Sequence, residues 1–268
     1  MKTKLLIIVY QLLFYYGFPT FILNKNNLGY LYDVFGQPNT YYLLNLSIGI
    51  FYRILLIAIF ICIYKIKYFD KYKSNPKSNI VFEKDKLFHY LTHLLPITIF
   101  FGIIGYEYYQ YDIEKIPYWW VIMIQIYIAL FISDTLFYIA HRIMHTKHFY
   151  KYHKEHHIYQ NTNILVELYS SKIEYIISIF VLGISTIMLN MHIVTFIIYQ
   201  LILMNLSTLH HSGYKFTFFP LQFVFPINEI IFNKSSDEEH DKHHRFFNTN
   251  YGYIYLFWDY LFGTISSS

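Results

Sequence analysis

Apolar positions along this chain gather into unbroken runs rather than into alternating or helical stripes. Four of them, Leu5 to Leu23, Leu43 to Tyr64, Leu87 to Tyr106 and Tyr118 to Ala140, stand out. At a rise of ~1.5 Å per residue each reaches roughly the ~30 Å of a hydrocarbon core, so the pattern predicts four membrane-spanning helices. A fifth stretch, Ile173 to Leu209, is too long for one span and is interrupted by Asn190 and His192. It reads as a helical hairpin of two short legs, returning the chain to the face it left. Lys2 and Lys4 precede the first run as in a signal peptide, but no small-residue cleavage site follows, so this run is read as retained.

Loop charge orients the bundle. The connection from Lys65 to Lys86 carries seven lysines, whereas Asn24 to Thr40 has Lys25 alone and Glu107 to Pro117 sets Lys115 among Glu107, Asp112 and Glu114. The amino terminus, the 65–86 loop and the chain after Ala140 are therefore expected to be cytosolic. Composition agrees with a polytopic membrane protein: of 268 residues, 55% are hydrophobic and 14% charged. The net charge is +4, but its basic residues form no stripe with stacking aromatics, which argues against nucleic acid as a partner. The single cysteine, Cys62, lies within an apolar run, so no intramolecular disulfide framework exists. That fits working parts in a reducing compartment.

The chemistry announces itself where the fourth run ends. His141, His145, His148, His153, His156 and His157 fall within seventeen positions, and "LHHSGY" at 209–214 and "EHDKHH" at 239–244 follow the hairpin. His141 and His145 are spaced i, i+4; His153, His156 and His157 are spaced i, i+3, i+4, and so are His240, His243 and His244. On helices each set projects from one face, so three short helices can aim eight imidazoles at a common point. Neutral imidazole is the commonest nitrogen ligand and one zinc takes about four ligands, so eight suggest two ions. An all-imidazole set suits iron, copper, nickel or zinc. "HKEHH" is not the HExxH of a zinc protease. A position against lipid favours an oxygen-activating iron pair, which has to reach unactivated C–H bonds of dissolved substrates.

"HRIMH", "HKEHH", "HSGY" and "HDKHH", followed by "FFNTNYGYIYLFWDYLFGT", resemble the fatty acid hydroxylase and sterol desaturase superfamily of membrane di-iron enzymes. The resemblance runs from about Asp134 to Thr264, and "HSGY" and the ending look most like C4-methylsterol oxidases and sterol 25-hydroxylases. It implies two iron ions (zinc as a substitute in purified protein), oxygen as co-substrate, and electrons from NAD(P)H through an external reductase and cytochrome b5. The implied metal ligands are His141, His145, His153, His156, His157, His211, His240, His243 and His244. Asp134, two turns before His141, is expected either to accept a ring N–H or to be a polar helix-end group.

Two positions depart from the pattern. Relatives commonly carry histidine before the "HDxHH" box, where this chain has Glu239, and His-Pro after the second box, where it reads "SSKIE" with Ser171 and Glu174. One ligand is thus expected to be absent or replaced by Glu239, Glu167 or Glu174. His89, His93, His148 and His192 read as interfacial, as does His210, which also adjoins the site as a candidate. Trp119, Trp120 and the many tyrosines read as interfacial anchors.

The expected fold is all-α: a polytopic helical bundle of four spans plus a hairpin, with a cytosolic histidine-rich di-metal cap. Residues 1–130 would form the amino-terminal membrane helices and 131–268 the catalytic domain. The expected activity is C–H hydroxylation of a lipid, a C4-methyl sterol first. Sterol 25-hydroxylation, C5 desaturation and fatty acyl or sphingolipid hydroxylation share the same boxes. A non-catalytic metal- and lipid-binding membrane protein and a zinc-dependent membrane hydrolase are rivals of other classes. Endoplasmic reticulum is implied for a eukaryotic host.

Overall fold

The computed structural model of the protein describes residues 29–31, 33, 34, 36–78, 92, 108–110, 112–215 and 227–267. The runs at Leu5 to Leu23 and Leu87 to Tyr106, with His89 and His93, lie outside them. Among the described residues there is no strand; Lys73 with Tyr214 and Gln110 with His192 form isolated bridges. The helices are α1 (Gln37–Lys65), α2 (Trp119–Met144), α3 (Tyr150–His153), α4 (Lys172–Met188), α5 (Ile193–His210), α6 (Ile227–Phe232), α7 (Ser236–Phe246) and α8 (Phe257–Leu261). Two of these, α2 and α5, are long and apolar enough to cross a membrane. The run Leu43 to Tyr64 lies inside the 29-residue α1. Residue 130, where the two halves were expected to divide, falls in the middle of α2.

The apolar hairpin forms as its interruption predicts. Leu189 ends α4, Asn190 turns with φ 44°, and His192 starts α5 by accepting the Val194 N–H at its Nδ1 (3.2 Å). Its Nε2 donates to the Asp112 carbonyl at 3.1 Å, so His192 is a buried capping residue rather than an interfacial one. The two membrane-length helices have different surroundings. Over its apolar window α5 is 83% buried, whereas α2 is 33% buried and exposes Ile124, Ile128, Phe131 and Ile139. Helix α5 is the post of the bundle, packed on α1, α2 and α7, while α2 packs most extensively on α4.

Small polar residues let α2, α4 and α5 approach closely. Ser133 Oγ lies 2.7 Å from Ser185 Oγ and 2.8 Å from the Tyr199 hydroxyl, which donates to the Leu182 carbonyl at 2.7 Å. Such shared hydroxyls satisfy one another where no water reaches, the usual glue between helices in an apolar surround. Helix α1 is fixed to the rest by Arg53, paired with Glu167, and by the Tyr64 hydroxyl, which donates to the Ser212 carbonyl. Tyr118, Trp119 and Trp120 are exposed at the start of α2, the place expected of interfacial anchors.

One expectation needs correction. His153, His156 and His157 do not share one helix: α3 ends at His153, and His156–Ile158 is a separate 3₁₀ turn. The carboxyl-terminal segment meets the bundle from the side. Phe257 and Trp258 meet Phe131 (ring centroids 6.5 and 5.9 Å), and Phe262 stacks on Tyr138 at 5.6 Å, so the segment lies along the side of α2.

Candidate metal centre

Four pieces of chain deliver the histidines. His141 and His145 are one turn apart at the end of α2, where His145 is the C-cap. His153 and His156 to His157 come from α3 and the following 3₁₀ turn. His211 caps the end of α5, and α7 presents His240, His243 and His244. Helix α7 is short and polar, but Asp237, Glu238 and Glu239 fill its first turn and Arg245 joins the histidines in its last, as the helix dipole favours.

The nine histidines sort into two groups. Ring nitrogens of His141, His145, His153, His157 and His243 all lie within 4.8 Å of one another, and so do those of His156, His211, His240 and His244. In the first, Nε2 separations are 3.1 Å (His141 to His153), 2.9 Å (His157 to His153) and 3.2 Å (His157 to both His145 and His243). In the second they are 3.5 Å (His211 to His156) and 3.3 Å (His240 to His211 and to His244). Nitrogens held ~2.1 Å from one ion stand ~3.0 Å apart at a right angle and ~3.4 Å apart at the tetrahedral angle, so the spacings fit.

The tautomers decide whether these contacts are hydrogen bonds or ligand sets. Nδ1 donates to a backbone carbonyl in His141 (Tyr251, 2.9 Å), His243 (Thr249, 2.6 Å), His156 (Tyr169, 3.2 Å) and His211 (Ser207, 2.9 Å). His153 Nδ1 lies 2.9 Å from Glu174 Oε1. With the ring proton held at Nδ1 in His141, His243, His156 and His211, their Nε2 atoms turn lone pairs inward. Lone pairs crowded at ~3 Å repel unless a cation lies among them, and the residues therefore fit a pair of metal ions. Burial, helped by the neighbouring imidazoles, keeps His153, His157, His240, His243 and His244 well below the ordinary histidine range. His145 and His156 are lowered to about 3, again chiefly by burial. Neutral imidazole is the form that binds a metal.

The acidic candidates divide differently from expectation. Asp134 meets no histidine: its Oδ1 accepts the N–H groups of Tyr253 (3.0 Å) and Ile254 (2.6 Å). Asp259, in "WDYLFGT", accepts those of Tyr251 and Gly252 at 2.8 and 2.7 Å. Together they fix the loop whose carbonyls orient His141 and His243. Glu174 is the carboxylate that lies against a histidine ring, 2.9 Å from His153 Nδ1. Glu239 is not among the histidines; it pairs with Lys242 (2.8 Å) and Lys234 (3.3 Å) and accepts from Asn250. Glu167 is taken by Arg53. His210 belongs to neither group and lies 3.4 Å from Asp237, while His148 is exposed. Ser171 accepts the Glu174 N–H at 3.2 Å as the cap of α4 and donates to the Tyr152 carbonyl at 2.5 Å, beside His153.

A cavity of about 160 Å³ opens beside both groups, with His141, His153, His156, His211 and His240 on its wall. Its other walls are largely apolar, contributed by Phe137 of α2, Ile179 and Leu182 of α4, and Leu203 and Met204 of α5. Arg53 and Glu167 also line it. Metal-binding nitrogens facing a cavity between membrane-type helices can present a bound metal pair to the apolar part of a lipid.

The profile of the fatty acid hydroxylase family matches residues 126–264, which include all nine histidines. Very-long-chain aldehyde decarbonylase GL1-8 of Oryza sativa subsp. indica is 29% identical over 214 residues, 73% of this chain and 74% of that protein. Methylsterol monooxygenase 1 of Rattus norvegicus is 31% identical over 215 residues, 74% of this chain and 68% of its own length. Methylsterol monooxygenase 2-1 of Arabidopsis thaliana is 31% identical over 159 residues, covering 56% of this chain and 58% of that protein. No solved structure matches significantly. The chain belongs to the fatty acid hydroxylase family and is an oxygen-dependent oxidoreductase of the membrane.

Proposed function

We propose that the protein is a di-iron oxygenase that hydroxylates a C–H bond of a lipid, a C4-methyl sterol in the first instance. The observation that carries this reading is the convergence of two groups of inward-facing imidazoles onto one cavity between apolar helices. His141, His145, His153, His157 and His243 would hold one iron, and His156, His211, His240 and His244 the other. A bound iron pair supplies activation of molecular oxygen and hydrogen abstraction from carbon.

The protein's own residues do the rest. The Tyr251, Thr249, Tyr169 and Ser207 carbonyls hold the ring protons of His141, His243, His156 and His211 away from the metal side, and Glu174 lies 2.9 Å from His153 Nδ1. Phe137, Leu182 and Leu203 keep water from the cavity and align the lipid with the imidazole wall. The substrate enters sideways from the bilayer between α2 and the α4–α5 hairpin. Electrons come from NAD(P)H through a separate reductase and cytochrome b5, on the cytosolic face that holds the histidine boxes. In a eukaryotic host that membrane is the endoplasmic reticulum.

A second reading, oxidation of an aliphatic chain, has support from the nearly equal likeness to the rice very-long-chain aldehyde decarbonylase. One experiment separates the two. Lipids are profiled without targeting in cells expressing the protein with a matched reductase, against cells expressing an equal level of the His243→Ala, His244→Ala variant. A sterol that gains one oxygen or loses a C4 methyl group only with the intact protein supports the first reading. A modified acyl chain selects the second. No difference, with iron loaded and both lipid classes present, overturns both.

A further inference from the structure

Helix α2 carries two charged side chains, Asp134 and Arg142. Asp134 is buried and bonded to backbone N–H groups, whereas Arg142 is exposed and, among the described residues, pairs with no carboxylate. Its guanidinium is nevertheless fixed. Nη1 donates to the Tyr138 hydroxyl at 3.1 Å, and Cζ lies 5.9 Å from the Tyr138 ring centroid and 5.7 Å from that of Phe262. The Tyr138 hydroxyl passes the bond on to Thr264 Oγ1 at 3.0 Å, which donates to Asp259 Oδ1 at 2.7 Å. Arginine has five N–H donors in a rigid fork, and this arrangement occupies one of them.

A groove of about 330 Å³ opens over this residue, lined by Tyr138, Ile139, Arg142, Ile143, Thr146 and Phe262. Ile139, Ile143 and Phe262 are each about half exposed. The Thr146 hydroxyl donates to the Ile143 carbonyl at 2.7 Å, so Thr146 and Tyr138 are both bonded within the chain. The guanidinium is the polar group left to a ligand. None of the six residues lines the cavity beside the histidines, so the two places are separate.

Depth and charge say what fits there. Counted from Trp119 at ~1.5 Å per residue, Ile139 is ~30 Å and Arg142 ~35 Å along α2. A hydrocarbon core is ~30 Å thick, so with α2 crossing from Trp119 the groove straddles its boundary. Ile139, and Phe262 through its stack on Tyr138, then lie beside acyl chains, and Arg142 lies at the level of the phosphates. From Arg142 to Lys154 the chain has four basic residues and no acidic one, which disfavours a headgroup ending in a cation. A guanidinium takes a phosphate through two parallel N–H groups, and the rings beside it hold the fork in one orientation. An acidic peptide supplies the charge but not the apolar chain that the inner half of the groove accepts.

We propose that this groove binds one anionic phospholipid, with its phosphate on Arg142 and an acyl chain across Ile139, Ile143 and Phe262. The site rests on α2 crossing the membrane and is independent of the substrate. The bound lipid braces the carboxyl-terminal segment, through Phe262, against the end of α2 that carries His141 and His145.

The test counts lipids on the delipidated full-length protein in neutral detergent by native mass spectrometry. The probes are phosphatidylglycerol and phosphatidylcholine with the same acyl chains. The wild type is expected to hold one phosphatidylglycerol roughly tenfold more tightly than phosphatidylcholine, the effect of a hydrogen bond to a charged group. Arg142→Gln should bring that ratio to about one with helical content unchanged. Ile139→Trp, at a half-exposed position, fills the groove and leaves the guanidinium in place; it should weaken the tight lipid as much. An undiminished preference in either folded variant overturns the site, and Ile139→Trp decides if Arg142→Gln does not fold. Equal affinity for the two lipids in the wild type overturns the site and leaves α2 in lipid. No binding of either lipid removes the membrane placement of α2 as well. Displacement of phosphatidylglycerol by inorganic phosphate would make the groove a free-phosphate site, and displacement by soluble polyglutamate a protein-docking one; either overturns the lipid.

Discussion

Glu174 and Asp134 show how a carboxylate earns its place near a metal centre. Asp134 has the spacing from His141 that suggests a ring contact, yet its oxygen holds backbone N–H groups of the 253–254 loop, and Glu174 holds His153 instead. Glu174→Gln keeps the size of the side chain and removes its charge, so in the proposed iron site His153 would become a weaker ligand. Iron retention under chelator competition should fall about tenfold with helical content unchanged, the usual effect of such a change. Asp134→Ala leaves two buried N–H groups without an acceptor, each costing ~1–3 kcal/mol. It should lower the melting temperature even of metal-free protein, which Glu174→Gln should not. Titration gives a further prediction. Folded His145 and His156 have pKa values lowered to about 3, against ~6.5 for an unfolded histidine. Below pH ~6.5 the unfolded chain takes up protons that the folded one refuses, so the metal-free protein loses stability as pH falls from 6.5 toward 3. Thermal melts at pH 7.5 and 5 should show the drop; equal melting points would mean that the imidazoles are solvated.

At the scale of elements, periodic runs and the spacing of the histidines made most of the site legible. Helix α2 carries His141 and His145 on one turn, and α7 carries its three on one face, because i, i+3 and i+4 positions adjoin on any helix. The second box broke the rule: the chain changes from α3 to a 3₁₀ turn around Lys154 and Glu155, and only tertiary packing brings His156 into one group and His157 into the other. Sequence spacing alone could not have made that division. Nor did it reveal Ser171, which ties α4 to the carbonyl beside His153. Ser171→Ala removes a helix cap worth about 1 kcal/mol and that tie together. The expected result is a melting point lower by a few degrees and a faster loss of iron from the first group. An unchanged off-rate would make Ser171 a cap and nothing more. The signal for Arg53 was present in the sequence as a lone charge within an apolar run, but its partner, 114 positions away, was not.

For the whole molecule, the question is how deep the carboxyl-terminal segment sits. Loop charge orients the spans but says nothing of an element that returns to the membrane without crossing it. Phe131 is twelve residues into α2, ~18 Å from its start at 1.5 Å per residue, and is expected well within a ~30 Å core if α2 crosses the membrane from Trp119. Phe257 and Trp258 pack on Phe131, so α8 is carried to that depth, and its Phe257, Tyr260 and Leu261 remain exposed. The polar group of α8, Asp259, is fully buried and bonded to Tyr251, Gly252 and Thr264, as a lipid surround demands. Beside it, α6 exposes Ile227, Ile230 and Ile231 while Asn228 points inward to the Ile254 carbonyl. Both short helices thus turn an apolar face outward, that of α8 beside α2. A single labelling cysteine at Leu261, in a Cys62→Ser background because Cys62 is exposed, places a fluorescent probe on this face. In liposomes its emission should be quenched by bromines on the acyl chains and spared by aqueous iodide, whereas a probe at His148 should behave in the opposite way. Iodide quenching at position 261 equal to that at position 148 would leave α8 in water and make the exposed apolar face a site for another protein.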